Sequence, residues 1–375
     1  MTPFVKRTDV ALGGARTLPG RYFSSPEIFA EEEERIFARR WLCVGRAAEL
    51  EAAGEYLLQE VGPDSVIVLR DRAGAIRAFH NVCRHRGTRL CEAPRGRLGA
   101  TIQCPYHGWT WSLDGRLVAA PSAETIENFE PGDWPLHPVA SAAWEGFVFI
   151  NLARDPEPFE NAFAPVLTRF SRFRLPRLVP ARRTTYDVAC NWKLILQNYS
   201  ECYHCPTVHP PLVKLSPPTS GENDLVSGPF LGGYMEIVEG CESLSLSGRA
   251  AGLPVGPLPP EDRHRVYYYS LFPNLLLSLH PDYVMYHAVW PEAPGRTRVV
   301  CEWLFAPETL GDARFSPDDA VEFWDQINRQ DWHICERAQL GVQSRAYSPG
   351  PYSRREGLAA GVDREVLMAL GRVAE

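Results

Sequence analysis

Long apolar runs are missing from this chain. None approaches the ~20 residues that span a bilayer, and the stretch MTPFVKRTDVALGG lacks the apolar core of a secretory signal. No membrane partner is expected, and the location expected is cytoplasmic. A basic excess is missing too: the net charge is −7, so no stripe of cations offers to neutralise phosphates, and a general nucleic-acid binder is excluded. No G-x-G-x-x-G follows a strand-like segment, and no plant-type ferredoxin cysteine set is present. Repeats and low-complexity tracts are absent. What remains is 375 residues, 45% hydrophobic and 23% charged, enough for two soluble domains with sizeable cores. The ten cysteines read as reduced thiols and metal ligands, because a disulfide framework belongs to small secreted chains.

Two of those cysteines sit beside histidines, in Cys83-Arg-His85 and Cys104-Pro-Tyr-His107. Each segment offers one thiolate and one imidazole. A structural zinc site built from such donors pairs like with like, C-x₂₋₄-C and H-x₃₋₅-H. A Rieske [2Fe–2S] cluster instead holds one iron by two Cys and the other by two His, which suits two mixed loops. Gly87, Pro105, Gly108 and Trp109 stand where tight loops and a covering ring are needed. The reading is a Rieske centre held by Cys83, His85, Cys104 and His107.

Three segments follow from patterning. Residues 24–40, SSPEIFAEEEERIFARR, are expected as one amphipathic helix, within an N-terminal segment (1–40) packed on the second domain. Residues 41–152 show short alternating runs such as YLLQEV, SVIVLR and FVFINL, expected as a small all-β domain with the cluster loops at its tip. Within 153–375, residues 153–180 read as a linker with one short helix, and 206–233 and 248–260 as loops. Helices near 190–204 and 317–343 accompany strands such as RVYYYSLF, YVMYHAVW and RTRVVCEWLF. The fold class is therefore α+β, with an antiparallel sheet in the second domain.

A second constellation lies in NWKLILQNYSECYHCPTVHPP. Trp192, Ile195, Leu196 and Tyr199 recur at helical steps, and Pro206 places the end of that helix near His204. His209 follows in a loop, where both imidazoles could meet one metal. Mononuclear non-haem iron takes two His and one carboxylate on one face. In DAVEFWDQINRQDWHICERAQLGV, Asp331 falls in a gap of the stripe Val321, Trp324, Ile327, Ile334 and Ala338. A buried carboxylate needs a metal or an ion pair, and Arg337 and Arg345 keep a salt bridge open. Asp325 and Glu336 lie off the stripe and read as solvated.

The segments CRHRGT and CPYHGW resemble the Rieske loops of ring-hydroxylating oxygenases. Respiratory Rieske proteins carry one more Cys in each loop, joined as a disulfide, where this chain has Thr88 and Tyr106. With the downstream histidines and acid, nearly the whole chain resembles the α subunit of a Rieske non-haem iron oxygenase. The resemblance implies a helix-grip catalytic domain, a mononuclear Fe(II) held by His204, His209 and Asp331, and a separate NAD(P)H-dependent flavin/iron–sulfur reductase. The family pattern D-x₂-H-x₄-H has Asp where this chain has Glu201. That acid links the two metals across a subunit interface, here from His107 to His204, which implies a homotrimer. The segments ECYHC, FPNLLLSLHPDYVMYH and NRQDWHICERAQLGVQSRAYSPGP resemble the branch acting on glycine betaine, carnitine and choline. The implied reaction spends O₂ and two electrons on hydroxylating an N-methyl group, which leaves as formaldehyde. An aromatic ring-hydroxylating or O-demethylating oxygenase is the alternative. A Rieske-only electron carrier leaves the second domain without a purpose. A quaternary ammonium substrate calls for aromatic faces. The candidates are Tyr199, Tyr203, Tyr267, Tyr268, Tyr269, Phe272, Tyr283, Tyr286 and Trp290, most of which also read as strand core.

Overall fold

A computed structural model describes residues 14–372. The first thirteen residues of the expected N-terminal segment lie outside the described residues, as do 373–375. The chain divides into two compact units, Phe37–Ala162, and Met1–Ile36 with Phe163–Glu375. Helices and antiparallel sheets together make it α+β. Among the described residues no helix is long and apolar enough to cross a membrane.

The smaller unit is built on seven strands, ordered Leu42–Arg46, Phe147–Asn151, Pro138–Trp144, Ile76–His80, Asp64–Arg70, Glu55–Val61 and Arg95–Arg97. Val66, Ile67, Val68 and Leu69 are wholly buried, as a central strand of β-branched and aliphatic residues should be. Three short strands, Thr101–Gln103, Thr110–Ser112 and Leu117–Ala119, form a second sheet. Its side chains Ile102 and Trp111 join Ile67, Leu69 and Phe79 in one core, which also takes in Cys83 and Cys104.

The larger unit holds a second seven-stranded antiparallel sheet. Its order is Val179–Val188, Arg296–Phe305, Val284–Ala293, Leu275–Leu279, Arg265–Leu271, Phe230–Glu236 and Glu222–Leu225. Register places Tyr268, Ser278, Met285 and Trp303 in one row, and Ser270, Leu276, His287 and Cys301 in the next. Residues two apart along a strand share a face, so both rows line the same side. The helix Asp318–Val342 lies on that side: Trp324 Nε1–H donates to Tyr283 Oη (2.6 Å), and Asn328 meets His287 Nε2 at 3.2 Å.

Four expectations need correction. Residues 24–40 are not one helix. Ser25 caps a new helix, Pro26–Glu32, by accepting from Ile28 N–H, and a π-helical stretch Glu33–Phe37 follows. Residues 153–180, expected as a linker with one short helix, do hold the helix Phe159–Ala162, but Phe163, Val166, Phe170, Phe173 and Leu175 are buried, so the stretch packs into the core. The expected loop 206–233 contains two short helices, the strand Glu222–Leu225 and the start of Phe230–Glu236, whose glycine pair hides its alternation. Ile334 faces outward at 36% exposure, while Trp332 and Cys335 take the buried stripe.

Candidate metal centres

In the smaller unit the two Cys/His segments share one backbone frame. Cys83 N–H donates to Thr88 O (2.8 Å) and Gly87 N–H to Cys83 O (2.9 Å). Likewise Cys104 N–H donates to Trp109 O (2.8 Å) and Gly108 N–H to Cys104 O (3.1 Å). Gly87 and Gly108 close these turns at φ of +75° and +72°, where a Cβ is disfavoured. Buried Asn81 fixes the first loop: its Oδ1 accepts from Leu90 N–H (2.8 Å) and Cys91 N–H (2.9 Å), and its Nδ2 donates to Cys91 O (2.8 Å). Pattern reading missed this residue; its one signal is an amide between a strand and Cys83.

Cys83 and Cys104 are buried, whereas His85 and His107 are exposed with ring centroids 4.8 Å apart. Trp109 stacks on His85 (5.0 Å) and Tyr106 on His107 (3.7 Å). Burial pushes the Cys83 thiol up, and Cys104 beside it adds to the shift. Two neighbouring buried thiols ionise together only around a cation. Thiols inside and imidazoles outside are the donors that a [2Fe–2S] cluster of the Rieske type takes, and these residues fit it.

In the larger unit the helix expected to reach His204 stops at Tyr199. It spans Trp192–Tyr199, capped by Asn191, whose side chain accepts from Lys193 N–H (3.1 Å). Beyond it, Glu201 Oε2 accepts the backbone N–H groups of Tyr203 and of His204 (3.3 Å for the latter), which pulls the chain out of the helix. Cys202 and Cys205 form a disulfide, their Cα atoms 5.0 Å apart. This corrects the reading of every cysteine as a thiol; so tight a turn brings the two side chains within bridging range. His204 therefore sits in a loop, and His209 follows the short helix Cys205–Val208.

Asp331 meets both histidines. Its Oδ1 lies 2.7 Å from His209 Nε2 and 3.3 Å from His204 Nε2, and one ligand atom from each residue lies within 4.8 Å of the others. Ligands at right angles on an ion ~2.1 Å away stand about 3 Å apart, so the three atoms fit one face of an octahedral iron. Each Nδ1 is held by an oxygen, His204 by Glu201 Oε1 (2.6 Å) and His209 by Gln330 Oε1 (2.7 Å). That fixes both tautomers with Nε2 toward Asp331. Gln330 was not foreseen, although it stands next to Asp331 in sequence. The salt bridge to Arg337 or Arg345 gives way to these two imidazoles among the described residues. Burial opposes charge here, yet Asp331 and Glu201 hold His204 up at about 10. The two histidines likewise outweigh burial and hold Asp331 down at about 2. The surroundings favour a positive charge between the two carboxylates, which ferrous iron brings. Asp325 and Glu336, expected in solvent, bind Tyr186 Oη–H (2.7 Å) and Ala189 N–H (3.0 Å).

A cavity borders this triad. Of the aromatic candidates it is lined by Tyr199, Tyr203 and Tyr268, joined by Tyr234, Trp324 and Trp332. Tyr267, Tyr269, Phe272, Tyr283, Tyr286 and Trp290 are buried and do not line it. His287 also lines it, and burial pushes that imidazole down to about 4.

Residues 40–130 match the Rieske [2Fe-2S] domain, and residues 175–371 the ring hydroxylating alpha subunit (catalytic domain). The glycine betaine monooxygenase oxygenase subunit of Chromohalobacter salexigens is 33% identical over 370 residues, 91% of this chain and 82% of the relative. The carnitine monooxygenase oxygenase subunit of Escherichia coli is 38% identical over 340 residues, 89% of this chain and 86% of the relative. Among solved structures, the quaternary ammonium Rieske monooxygenase CntA in complex with L-carnitine shares the fold. Its TM-score is 0.75 at 24% identity, covering 96% of each chain. Naphthalene 1,2-dioxygenase from Rhodococcus sp. shares it too, with TM-score 0.74 at 23% identity over 95% of this chain and 93% of that one. The cofactors are accordingly a [2Fe–2S] cluster and a mononuclear iron. Two matched domains in this order, across most of the chain, make it a member of the Rieske non-haem iron oxygenase family, as its α, or oxygenase, subunit.

Proposed function

We propose that this oxygenase subunit N-demethylates a small quaternary ammonium compound such as glycine betaine. The observation that carries the proposal is the cavity beside His204, His209 and Asp331, walled by Tyr199, Tyr203, Tyr268, Trp324 and Trp332. A trimethylammonium group neither donates a hydrogen bond nor accepts a proton, and each aromatic face offers it on the order of 0.5–2 kcal/mol. The names of the relatives support the same substrate class.

Cys83, Cys104, His85 and His107 would hold the cluster, and His204, His209 and Asp331 the iron. When bound, these groups supply the electrons and the activation of O₂. The chain's own residues orient and insulate. Glu201 holds Nδ1–H of His204, and in the C3 ring that the family resemblance implies it would join that imidazole to a His107 from the next copy. Gln330 holds His209. The aromatic walls keep an N-methyl group, desolvated, beside the triad. Hydroxylation consumes O₂, two electrons and two protons and releases water. The hydroxymethyl ammonium then passes its hydroxyl proton to nitrogen as the C–N bond breaks, giving formaldehyde and the protonated tertiary amine.

Flat aromatic substrates would also suit such walls, so the test sets the two classes side by side. Reductant-dependent O₂ uptake is expected to rise with glycine betaine, carnitine or choline, with formaldehyde formed in step. Uptake coupled to product only by aromatic acids would replace this reading with the aromatic one. A neutral analogue bearing tert-butyl in place of trimethylammonium should bind more weakly; equal binding would argue against recognition of the cation.

A further inference from the structure

Among the described residues bordering the cavity there is a single Arg or Lys, Arg355. It lies in the 3-10 turn Arg354–Glu356, which leads into the helix Gly357–Ala369. Its guanidinium carbon stands 5.1 Å from the centre of the Tyr203 ring, the residue just before His204. The turn is fixed locally: Ser353 N–H donates to Glu356 Oε2 at 2.8 Å, and Leu358, one turn on, is buried and borders the same cavity. Arg355 itself is half-buried.

The charges of the cavity are unevenly spread. Glu201 and Asp331 both engage histidines at the triad. Aromatic faces satisfy a trimethylammonium group but do nothing for a carboxylate. A carboxylate that leaves water for such walls needs a charged or hydrogen-bonding partner. A guanidinium meets a carboxylate through paired N–H donors in a planar fork. We propose that Arg355 receives the carboxylate of a zwitterionic substrate, so that this enzyme selects betaines over choline-like cations. The inference rests on the function proposed above and narrows its substrate class. It makes Arg355 a specificity residue at the rim of the site.

The test measures binding to the full-length, cluster-loaded protein by calorimetry, with glycine betaine, its methyl ester and choline as probes. Wild type is compared with Arg355→Gln and Arg355→Lys, and circular dichroism with thermal melting reports that each variant is folded. Arg355→Gln is expected to lower the ratio of betaine to choline affinity by about 10- to 100-fold, the range of a charge-assisted pair. Arg355→Lys should restore part of that ratio, because the charge returns without the planar fork. The methyl ester, which keeps the cation and loses the anion, should follow choline. A ratio unmoved in folded Arg355→Gln overturns the assignment while leaving N-demethylation standing. Wild type that binds none of the three overturns the functional reading, and this inference with it.

Discussion

Each imidazole of the triad is anchored on the side away from Asp331, but by different chemistry. Glu201 is an anion, Gln330 a neutral amide. Gln330→Leu removes the acceptor that sets the His209 tautomer, so iron affinity should fall about 10- to 100-fold with the cluster spectrum unchanged; chelator competition measures it. Asp331→Ala should lose the iron and keep the cluster, and full iron occupancy in that variant would assign the carboxylate ligand elsewhere. Glu201→Gln should keep both metals yet stop turnover, since an amide does not replace a carboxylate between two imidazoles. Unchanged transfer from cluster to iron would remove its bridging role. Iron loading carries a pH signature as well. Iron takes the neutral ring of His204, and the two carboxylates keep that ring protonated below about 10. Acid therefore opposes loading. Uptake at neutral pH should release close to one proton, with apparent affinity rising about tenfold per pH unit, as a pH-stat titration would read.

The elements show which parts of this architecture were legible. Strands of alternating or β-branched residues stood out because their pattern comes from burial, and Arg296–Phe305 begins and ends where RTRVVCEWLF does. The helix carrying Asp331 was visible for the same reason, because its buried face repeats every three or four residues. The cluster loops were legible from donor type alone. What stayed hidden depends on partners far away in sequence. Nothing in NWKLILQNYSECYHC says that Glu201 will cap its own backbone and end the helix early, or that Cys202 will meet Cys205. Nor does the local sequence show that Lys193, on the first turn of that helix, pairs with Glu32. Both are fully buried, 2.5 Å apart, and Trp192 Nε1–H donates to the same carboxylate (2.8 Å). Burial pushes both toward neutrality, the acid up and the amine down. Removing one partner leaves the other stranded, so Lys193→Met should cost about 3–5 kcal/mol. Lys193→Met with Glu32→Gln should recover most of it, since the amide still accepts from Trp192. A double-mutant cycle of thermal melts decides whether the pair couples.

At the scale of the whole molecule, the proposed transfer between copies has a direct genetic readout. His107→Ala spares the iron site, and His204→Ala spares the cluster. Mixed in one ring, about a quarter of donor–acceptor pairs are intact if the partners assort at random. Co-expressed single variants should regain roughly that share of wild-type turnover, and a chain carrying both changes none. Complete inactivity of the mixture would place the transfer within one chain. A different consequence at this scale attaches to the Cys202–Cys205 bond. It makes the sequence an incomplete formula for the protein. A host that keeps its thiols reduced and one that does not would yield two compounds from one gene, differing beside His204. Thiol titration of the denatured chain distinguishes them, ten groups against eight. Specific activities from different preparations are comparable only once that number is known.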